Sequence, residues 1–393
     1  MHRRTFLKSA GAATVLVAAG GGWRALAQGV FRAGTGAAYQ PWTTWRKGPD
    51  DSLLPMVRAA ILAASPHNSQ PWLFKVTDTA IELYLDGRRN LGALDPYLRE
   101  AYIGMGCALE NLVLAAKAKG TQLDLRLVPG RLGRVPPGPG PVLVGTVVIG
   151  PCIQEWTDLY EAIPRRHTNR AAMLLHKPVP PDFTRRLIHL VNDERDARLF
   201  LFTQETERSR ILAASAAANA QLYSDPAVLG ANDRWLRLSW DEVQEQRDGL
   251  SLDAFGLPPV QADLAKMLPA WILRRAIRDG ARQSYAPLMA SAPLMGIITV
   301  HDRLDRVQCL LAGRIWQRAH LLATTWGLAG RPCNEAVEWV DRQQAMGQAA
   351  QGASPLADLL GEPGWEPTFV FYMGYPSLPS HASPRRPVER LLL

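Results

Sequence analysis

The chain contains one order of predicted elements twice: a helix, a loop, a strand, a long helix and a further strand. In residues 51–150, apolar side chains recur every three or four positions in two stretches, which predicts two amphipathic helices. In a third stretch they alternate, which predicts a half-buried strand. Residues 151–393 repeat this order at greater length, without a literal repeat of sequence. The sequence therefore predicts an α+β fold built from two related halves.

Within the first half, residues 51–150, the predicted helices cover about 53–64 and 101–119. The second of them stops at Gly120, and glycine is the residue type that most often follows a helix end. Alternation at 81–85 predicts one strand, and the apolar run at 141–150 predicts a second, buried one.

The second half, residues 151–393, is longer because of one segment. Strands are predicted at 197–202, 294–300 and 367–376, and a helix at 311–326. Between about 206 and 290 the sequence is helical and polar, so we expect a lid-like insertion there. Residues 28–50 are rich in Gly, Trp and Pro and are predicted as an extended arm.

The first 27 residues resemble a twin-arginine export signal. Arg3 and Arg4 precede a weakly apolar run, and a small-residue cleavage pattern follows at 25–27. The apolar run spans only 13 residues, whereas a transmembrane helix needs roughly 20. We therefore expect the twin-arginine machinery to export this chain to the periplasm or elsewhere outside the cytoplasm.

The net charge argues against a nucleic-acid partner. Residues 1–27 hold four basic residues and no acidic ones, so their removal lowers the formal charge from +8 to +4. The remaining chain has no clustered basic stripe of the kind that follows a phosphate backbone. We expect a mildly basic soluble protein that binds no nucleic acid.

The sequence indicates neither a metal site nor a protein nucleophile. Four widely spaced cysteines form no CxxC pair: Cys107, Cys152, Cys309 and Cys333. Outside the cytoplasm they could oxidise, but their spacing does not assign disulfide pairs. GxSxG, P-loop and HExxH patterns do not occur, and GMGCAL at 104–109 lacks the third glycine of a dinucleotide fingerprint.

Three short stretches carry side chains suited to a bound anion or ring. In SPHNSQPW (65–72), two prolines stiffen the backbone and Asn68 can both donate and accept; a helix-ending turn is the alternative. RRHTNR (165–170) places three guanidiniums within six residues, which suits a phosphate unless the stretch is a solvated basic turn. SPRR (383–386) either adds to such a site or is a disordered basic tail.

Together these stretches resemble the nitroreductase family, and more closely its Acg-like branch, in which two nitroreductase-like halves occupy one chain. SPHNSQPW is similar to the family's helix-ending signature, except that its Ser and Pro stand in the opposite order. RRHTNR resembles the stretch that receives the phosphate of flavin mononucleotide, FMN. GLAGRPCNEAVEW (327–339) and Gly374-Tyr375-Pro376 resemble downstream elements, so the likeness covers roughly residues 50–393.

The resemblance implies a nitroreductase-like fold, in which each half has a central, mostly antiparallel sheet flanked by helices. Ordinary nitroreductases are homodimers whose FMN lies between subunits, one lending the N-x-Q-P-W loop and the other the phosphate arginines. Here the first half has SPHNSQPW without an RRxTNR stretch, and the second half has RRHTNR without that loop. The resemblance thus implies one FMN site between the halves, in a monomer that mimics a dimer.

The resemblance also implies roles for individual residues. Arg166 and Thr168 would hold the FMN phosphate, with Arg386 closing on it from the tail. Arg170 would lie at the pyrimidine edge of the flavin ring, where a positive charge stabilises the reduced form. The implied FMN-binding residues are Ser65, Pro66, Asn68, Arg166, His167, Thr168, Arg170, Pro332, Cys333, Arg385 and Arg386.

The function implied is that of an exported FMN-dependent oxidoreductase acting on a small molecule by two-electron transfer, with NAD(P)H or another compound as electron donor. The flavin carries the electrons, so no catalytic side chain is expected. Two alternatives are open. The chain could be an FMN storage or sequestration protein whose insertion covers the flavin, or an exported α/β binding module without flavin.

Overall fold

The computed structural model describes residues 25, 28–47, 52–134, 140–151, 153–191, 194–349 and 354–393. Apart from Ala25, the predicted export signal lies outside the described residues, and so does Cys152. In the part of the chain that is described, no helix is both long and apolar enough to cross a membrane.

Ten strands occur in the described residues. They are β1 (Trp72–Val76), β2 (Ala80–Leu85), β3 (Thr121–Leu127), β4 (Val142–Pro151), β5 (Ala197–Phe202), β6 (Leu236–Arg237), β7 (Leu250–Ser251), β8 (Leu294–Val300), β9 (Ala329–Pro332) and β10 (Glu366–Gly374). The predicted strands at 197–202 and 294–300 coincide with β5 and β8.

Fourteen α-helices of five residues or more occur in the same residues. They are α1 (Gln40–Thr44), α2 (Leu54–Ala60), α3 (Arg99–Ala118), α4 (Asp158–Ala162), α5 (Pro181–His189), α6 (Glu205–Leu222), α7 (Pro226–Arg234), α8 (Trp240–Gln246), α9 (Pro259–Lys266), α10 (Ala270–Gln283), α11 (Tyr285–Ala290), α12 (Arg306–Thr325), α13 (Glu335–Ala345) and α14 (Ser354–Leu360).

Two four-stranded antiparallel sheets share one topology. The first has the order β1-β2-β4-β3 and the second the order β5-β8-β10-β9. In each sheet a long helix, α3 or α12, connects the second strand along the chain to the third. All seven residues of β8 are buried, whereas β2 alternates between buried and half-buried side chains. The fold is therefore α+β, with the more deeply buried sheet in the second half.

The two long helices α3 and α12 pack directly on each other. A Cβ atom on Gly106 would overlap the carbonyl oxygen of Leu310, and one on Gly313 would overlap the carbonyl oxygen of Ile103. Only glycine therefore lets the two backbones approach this closely. Near the crossing, the Gln317 amide donates to the Asn111 amide oxygen at 2.8 Å.

The insertion joins β5 to β8 and spans residues 203–293. In the first sheet, the corresponding strands β1 and β2 are joined by a turn of only three residues, 77–79. The insertion consists of α6 to α11 and a short parallel pair, β6 and β7. It is thus an elaboration of a hairpin turn, which leaves the topology of the second sheet unchanged.

The segment predicted as an extended arm is instead folded. Its described residues, 28–47, form two single-turn 3-10 helices and α1. Trp42 and Trp45 are buried, and the Trp42 indole N–H donates to the Ser383 carbonyl at 2.8 Å. Burial of these large rings outweighs the local preference of a Gly- and Pro-rich stretch for extended backbone.

Candidate functional site

The loop after α2 has an unusual backbone. His67, Asn68 and Gln70 have φ values of 46°, 54° and 50°, in the left-handed region that residues other than glycine seldom adopt. Each costs about 1–3 kcal/mol unless its surroundings hold it. The Asn68 amide provides such support, donating to the Pro384 carbonyl at 2.9 Å and to the Gly249 carbonyl at 3.2 Å. The loop is therefore fixed by both the insertion and the C-terminal segment.

A cavity of about 470 Å³ lies beside this loop. Residues from the first half, the second half and the insertion all line it. Five of the predicted FMN-binding residues are among them: Ser65, Pro66, Thr168, Arg170 and Pro332. The structure thus brings part of SPHNSQPW and part of RRHTNR to one cavity.

The insertion supplies the apolar side of the cavity. Its lining side chains include Leu252, Phe255, Leu268, Leu273, Ile277 and Leu288. Leu257 and Leu268 also line the cavity and are exposed, at 39% and 40%, so this side is the one nearest solvent. A molecule in the cavity would have apolar contacts along the insertion and polar contacts on the opposite side.

Two arginines form a cationic wall, which we define as Arg170 and Arg331. Both line the cavity, and within the described residues neither makes an ion pair with a carboxylate. The Arg170 guanidinium donates to the Ala254 carbonyl at 3.1 Å. Burial and the charge of Arg331 lower the pKa of Arg170 to about 10, so Arg170 remains protonated at neutral pH. This wall can accept an anionic or electron-rich edge of a ligand.

A second arginine pair, Arg166 and Arg385, lies behind the cavity wall. Both residues are 2% exposed. Arg166 donates to the Leu62 carbonyl at 3.1 Å and Arg385 to the Ala63 carbonyl at 3.0 Å, immediately before cavity-lining Ala64. In the described part of the chain no carboxylate pairs with either, and the Nε atom of each lacks a partner.

Two buried cations without a counter-ion are costly in a folded protein. Burial lowers the pKa of Arg166 to about 10, and burial together with the charge of Arg166 lowers the pKa of Arg385 well below its ordinary value. His320 contacts Arg166 at 3.3 Å through Nδ1, and its Nε2 is also unpartnered. These orphaned donors fit a bound phosphate.

The C-terminal arginine that faces Arg166 is Arg385 and not Arg386. The Arg385 guanidinium lies over the Trp42 ring, 4.6 Å from its centroid, and donates to the Asn68 side-chain oxygen at 2.5 Å. Arg386 points elsewhere, because its N–H donates to the Gln70 side chain at 2.8 Å and its guanidinium to the Gln70 carbonyl at 3.3 Å. Of the two C-terminal arginines expected at the phosphate, the structure thus brings Arg385 to Arg166 and leaves Arg386 beside Gln70.

Three other predicted residues do not line the cavity. The Asn68 side chain holds the loop together, as described above. His167 packs edge-on against Trp42, with ring centroids 4.6 Å apart, and burial lowers its pKa to about 3, so it is neutral. Cys333 is 1% exposed and burial raises the pKa of its thiol well above the ordinary value.

The described cysteines, Cys107, Cys309 and Cys333, are buried free thiols. No group of three His, Cys, Asp or Glu side chains in the described residues is placed to hold a metal ion.

The sequence interpretation missed an acidic wall, which we define as Glu100, Glu335 and Glu338. All three line the cavity. Burial raises the pKa of each carboxyl, and mutual repulsion adds to the effect for Glu338. A signal was present, because Glu335 and Glu338 are three residues apart and share one face of α13. Glu100 comes from α3, so its place in the wall depends on tertiary packing.

His67 was also missed. It lines the cavity, and its Nε2 lies 2.6 Å from the Asn232 side-chain oxygen in the insertion. Burial lowers the pKa of His67 to about 4, so its ring is neutral at physiological pH and links the strained loop to α7.

No family model matches the chain. A Mycobacterium tuberculosis protein named as an NAD(P)H nitroreductase is 27% identical over 326 residues, which cover 81% of this chain and 87% of that protein. A second protein of that organism, named as the NAD(P)H nitroreductase Acg, is 38% identical over 79 residues, 20% of this chain and 24% of its own.

The FMN-dependent nitroreductase NfnB of Mycobacterium smegmatis, solved in complex with NADPH, superposes with a TM-score of 0.36 at 15% identity, over 59% of this chain and 96% of that one. This TM-score is too low to establish a common fold. In sequence, the chain is similar to proteins named as nitroreductases.

Proposed function

We propose that this chain is an FMN-dependent oxidoreductase of the nitroreductase type, with the flavin in the cavity between the two halves. The observation that carries the proposal is a pair of buried arginines, Arg166 and Arg385, which have no counter-ion among the described residues. They lie beside a cavity lined by Thr168 and Arg170 of the same RRHTNR stretch. Burying such charges destabilises a folded protein unless a bound anion compensates them.

Each half contributes what the other lacks. Ser65 and Pro66 come from the first half, whereas Thr168, Arg170 and Pro332 come from the second. The common strand order of the two sheets supports the interpretation that the halves are fused copies of one nitroreductase-like unit. The chain would then act as a monomer with one composite site.

The residues present fit FMN as follows. Arg166 and Arg385 would neutralise the phosphate, and the hydroxyl of Thr168 would donate to it. Arg170 and Arg331 would face the electron-rich edge of the ring, and the strained loop at 65–67 would support the ring from the first half. When bound, FMN supplies two-electron transfer, which the side chains of this site do not provide.

The proposal also covers the electron donor and the cellular location of the protein. The relatives' names point to a nicotinamide donor, and we propose NAD(P)H for this chain. The twin-arginine pattern points to export. If the chain is exported, the donor we propose is another small reductant, because reduced nicotinamides belong to the cytoplasm.

The storage alternative has one observation in its favour, because the insertion covers the apolar side of the cavity. The relatives' names do not favour it. The two functions differ in turnover, since a store would hold FMN and yet reduce almost no substrate in the steady state.

The experiment uses the purified full chain. We expect flavin absorbance in the visible spectrum and FMN in the supernatant after denaturation. With NADPH, or with dithionite as reductant, we expect repeated turnover of a nitroaromatic. FMN without turnover would support storage, and protein that neither contains nor takes up FMN would refute the proposal.

A further inference from the structure

The carboxyl group of Glu338 is the one polar group of the acidic wall without a partner. Glu335 accepts a hydrogen bond from the Tyr285 hydroxyl at 2.5 Å, and Glu100 accepts one from the Asn334 amide at 2.8 Å. Glu338 is 8% exposed and lines the cavity, but within the described residues no side chain or backbone N–H donates to its carboxyl and no cation lies within ion-pair distance.

The charged groups that shift the pKa of Glu338 lie on several elements. They are Glu100 and Arg99 of α3, Asp95 of the preceding loop and Glu335 of α13. Arg99 is the cation among them, and it already donates to Asp341 at 2.6 Å and to the Thr368 carbonyl at 2.5 Å. The wall therefore has more carboxyl groups than cations to pair with them.

A buried carboxyl in this position must either keep a proton or receive a cation from outside the chain. Burial and repulsion from Glu100 and Glu335 raise the pKa of Glu338 well above its ordinary value, which favours the protonated carboxyl in the free protein. A neutral acid in a cavity still leaves a donor and an acceptor without partners, which a ligand can satisfy.

We propose that the acidic wall is a subsite for the ammonium group of a small substrate whose body is apolar. This inference rests on the proposed function, because it takes the cavity to be the place where the substrate binds. The ammonium would donate to Glu338, with Glu335 and Glu100 adding negative potential. The apolar body would lie against Leu268, Leu273 and Ile277 of the insertion.

The lining residues of the cavity support an amphiphilic cation over an anion. The cationic wall, Arg170 and Arg331, is assigned to the flavin, so the remaining polar surface near Glu338 is acidic. Tyr223 also lines the cavity, and the charges of Glu335 and Glu338 help to raise the pKa of its hydroxyl.

The test compares two ligands of almost the same shape, 2-phenylethylamine and 2-phenylethanol, by calorimetric titration into the purified full chain. In the wild type we expect the amine to bind about ten- to a hundred-fold tighter than the alcohol, because a hydrogen bond to a charged group is stronger than a neutral one. In Glu338→Gln, we expect the preference for the amine to disappear while alcohol binding changes little.

The matched control is Glu245→Gln, which alters an exposed glutamate outside the cavity and should leave the preference intact. Equal affinity for the two ligands in the wild type, or an unchanged preference in Glu338→Gln, would overturn the subsite.

A second measurement requires no variant. If the ammonium binds the ionised carboxylate, amine binding must release the proton that Glu338 holds, whereas alcohol binding must not. Titrations in two buffers of different ionisation enthalpy count these protons. No proton release with the amine would contradict the subsite.

The FMN content of each preparation is measured separately. A preference for the amine in protein that neither contains nor takes up FMN would leave the subsite standing and refute the cofactor. Flavin-loaded protein without that preference would refute the subsite alone.

Discussion

At the residue scale, the most informative side chains are those whose charge the chain does not balance. Arg166 and Arg385 both donate to the Leu62 carbonyl, Arg385 also donates to the Ala63 carbonyl, and neither has a carboxylate partner in the described structure. A carboxylate nearby would stabilise the empty protein but would compete with a phosphate. The lack of a carboxylate partner therefore favours affinity for an anion at the expense of stability of the free chain.

Arg166→Ala should weaken FMN binding by about ten- to a hundred-fold, since a charge-assisted hydrogen bond contributes roughly 1.5–3 kcal/mol. Fluorescence titration of flavin-free protein with FMN measures the change. Arg165→Ala is the matched control, because Arg165 is the exposed neighbour and its removal should have little effect. Equal FMN affinity in both variants would contradict the assignment of the buried pair.

His167 makes stability depend on pH. Its pKa is about 3 in the folded chain and 6.5 ordinarily, so between these values the unfolded chain binds a proton that the native chain does not. Stability is therefore lost as the pH falls from about 6.5 towards 3. In His167→Phe, which keeps a ring against Trp42, this contribution is absent.

Denaturant unfolding at pH 7 and pH 5 should show the stability of His167→Phe improving relative to wild type at the lower pH. His176→Phe, which replaces an exposed histidine, is the control, and its stability relative to wild type should be the same at both pH values. A constant difference for His167→Phe as well would mean that the ring is solvated in the native state.

At the scale of elements, the crossing of α3 and α12 holds the two halves together. Gly106→Ala and Gly313→Ala should each destabilise the fold by about 2–4 kcal/mol, because the new methyl group would overlap a backbone carbonyl that cannot move alone. Chemical denaturation measures the change.

Gly230→Ala provides the comparison within a helix. No atom lies within 4 Å of a Cβ at Gly230, and replacing glycine in a helix interior favours folding by up to about 1 kcal/mol. A similar change in the free energy of unfolding at Gly106, Gly313 and Gly230 would show that α3 and α12 do not pack as closely as described.

The sequence predicted elements best where periodicity was strong and long. β5, β8 and α3 were found within a few residues. β9, Ala329–Pro332, was missed because four residues containing Gly and Pro carry no strand pattern. β3 was missed although Leu123, Leu125 and Leu127 alternate with charged residues, which is the period of a half-buried strand. The arm at 28–47 was misjudged because burial of its tryptophans is decided by distant residues.

The part of the candidate site that belongs to local sequence motifs was predictable. Ser65, Pro66, Thr168 and Arg170 came from such motifs and do line the cavity. Glu100 and Arg331 have no local signature, because only the packing of α3 and β9 around one space makes them neighbours. The choice between Arg385 and Arg386 depended on which of two adjacent side chains stacks on Trp42, a detail that sequence does not specify.

At the scale of the whole molecule, two sheets share one topology, and the proposed FMN site is a single composite of both halves. The first half supplies the loop and the second half the arginines, so a second, symmetry-related site would lack both. We therefore expect FMN to saturate at one molecule per chain, measured by titration of flavin-free protein at known concentration. Two FMN molecules per chain would contradict the composite site.

The contact of Trp42 with Ser383 spans 341 positions of the chain, and the Arg385 N–H donates to the Ala38 carbonyl at 2.7 Å beside it. During synthesis, Ala38 and Trp42 leave the ribosome long before Ser383 and Arg385 are translated. The arginine pair can therefore assemble only once translation of this region is finished, whatever the first half has done by then. If FMN binds at this pair, its capture must follow synthesis of the C-terminal segment, and a chain stalled before residue 383 would present the loop and Arg166 without Arg385.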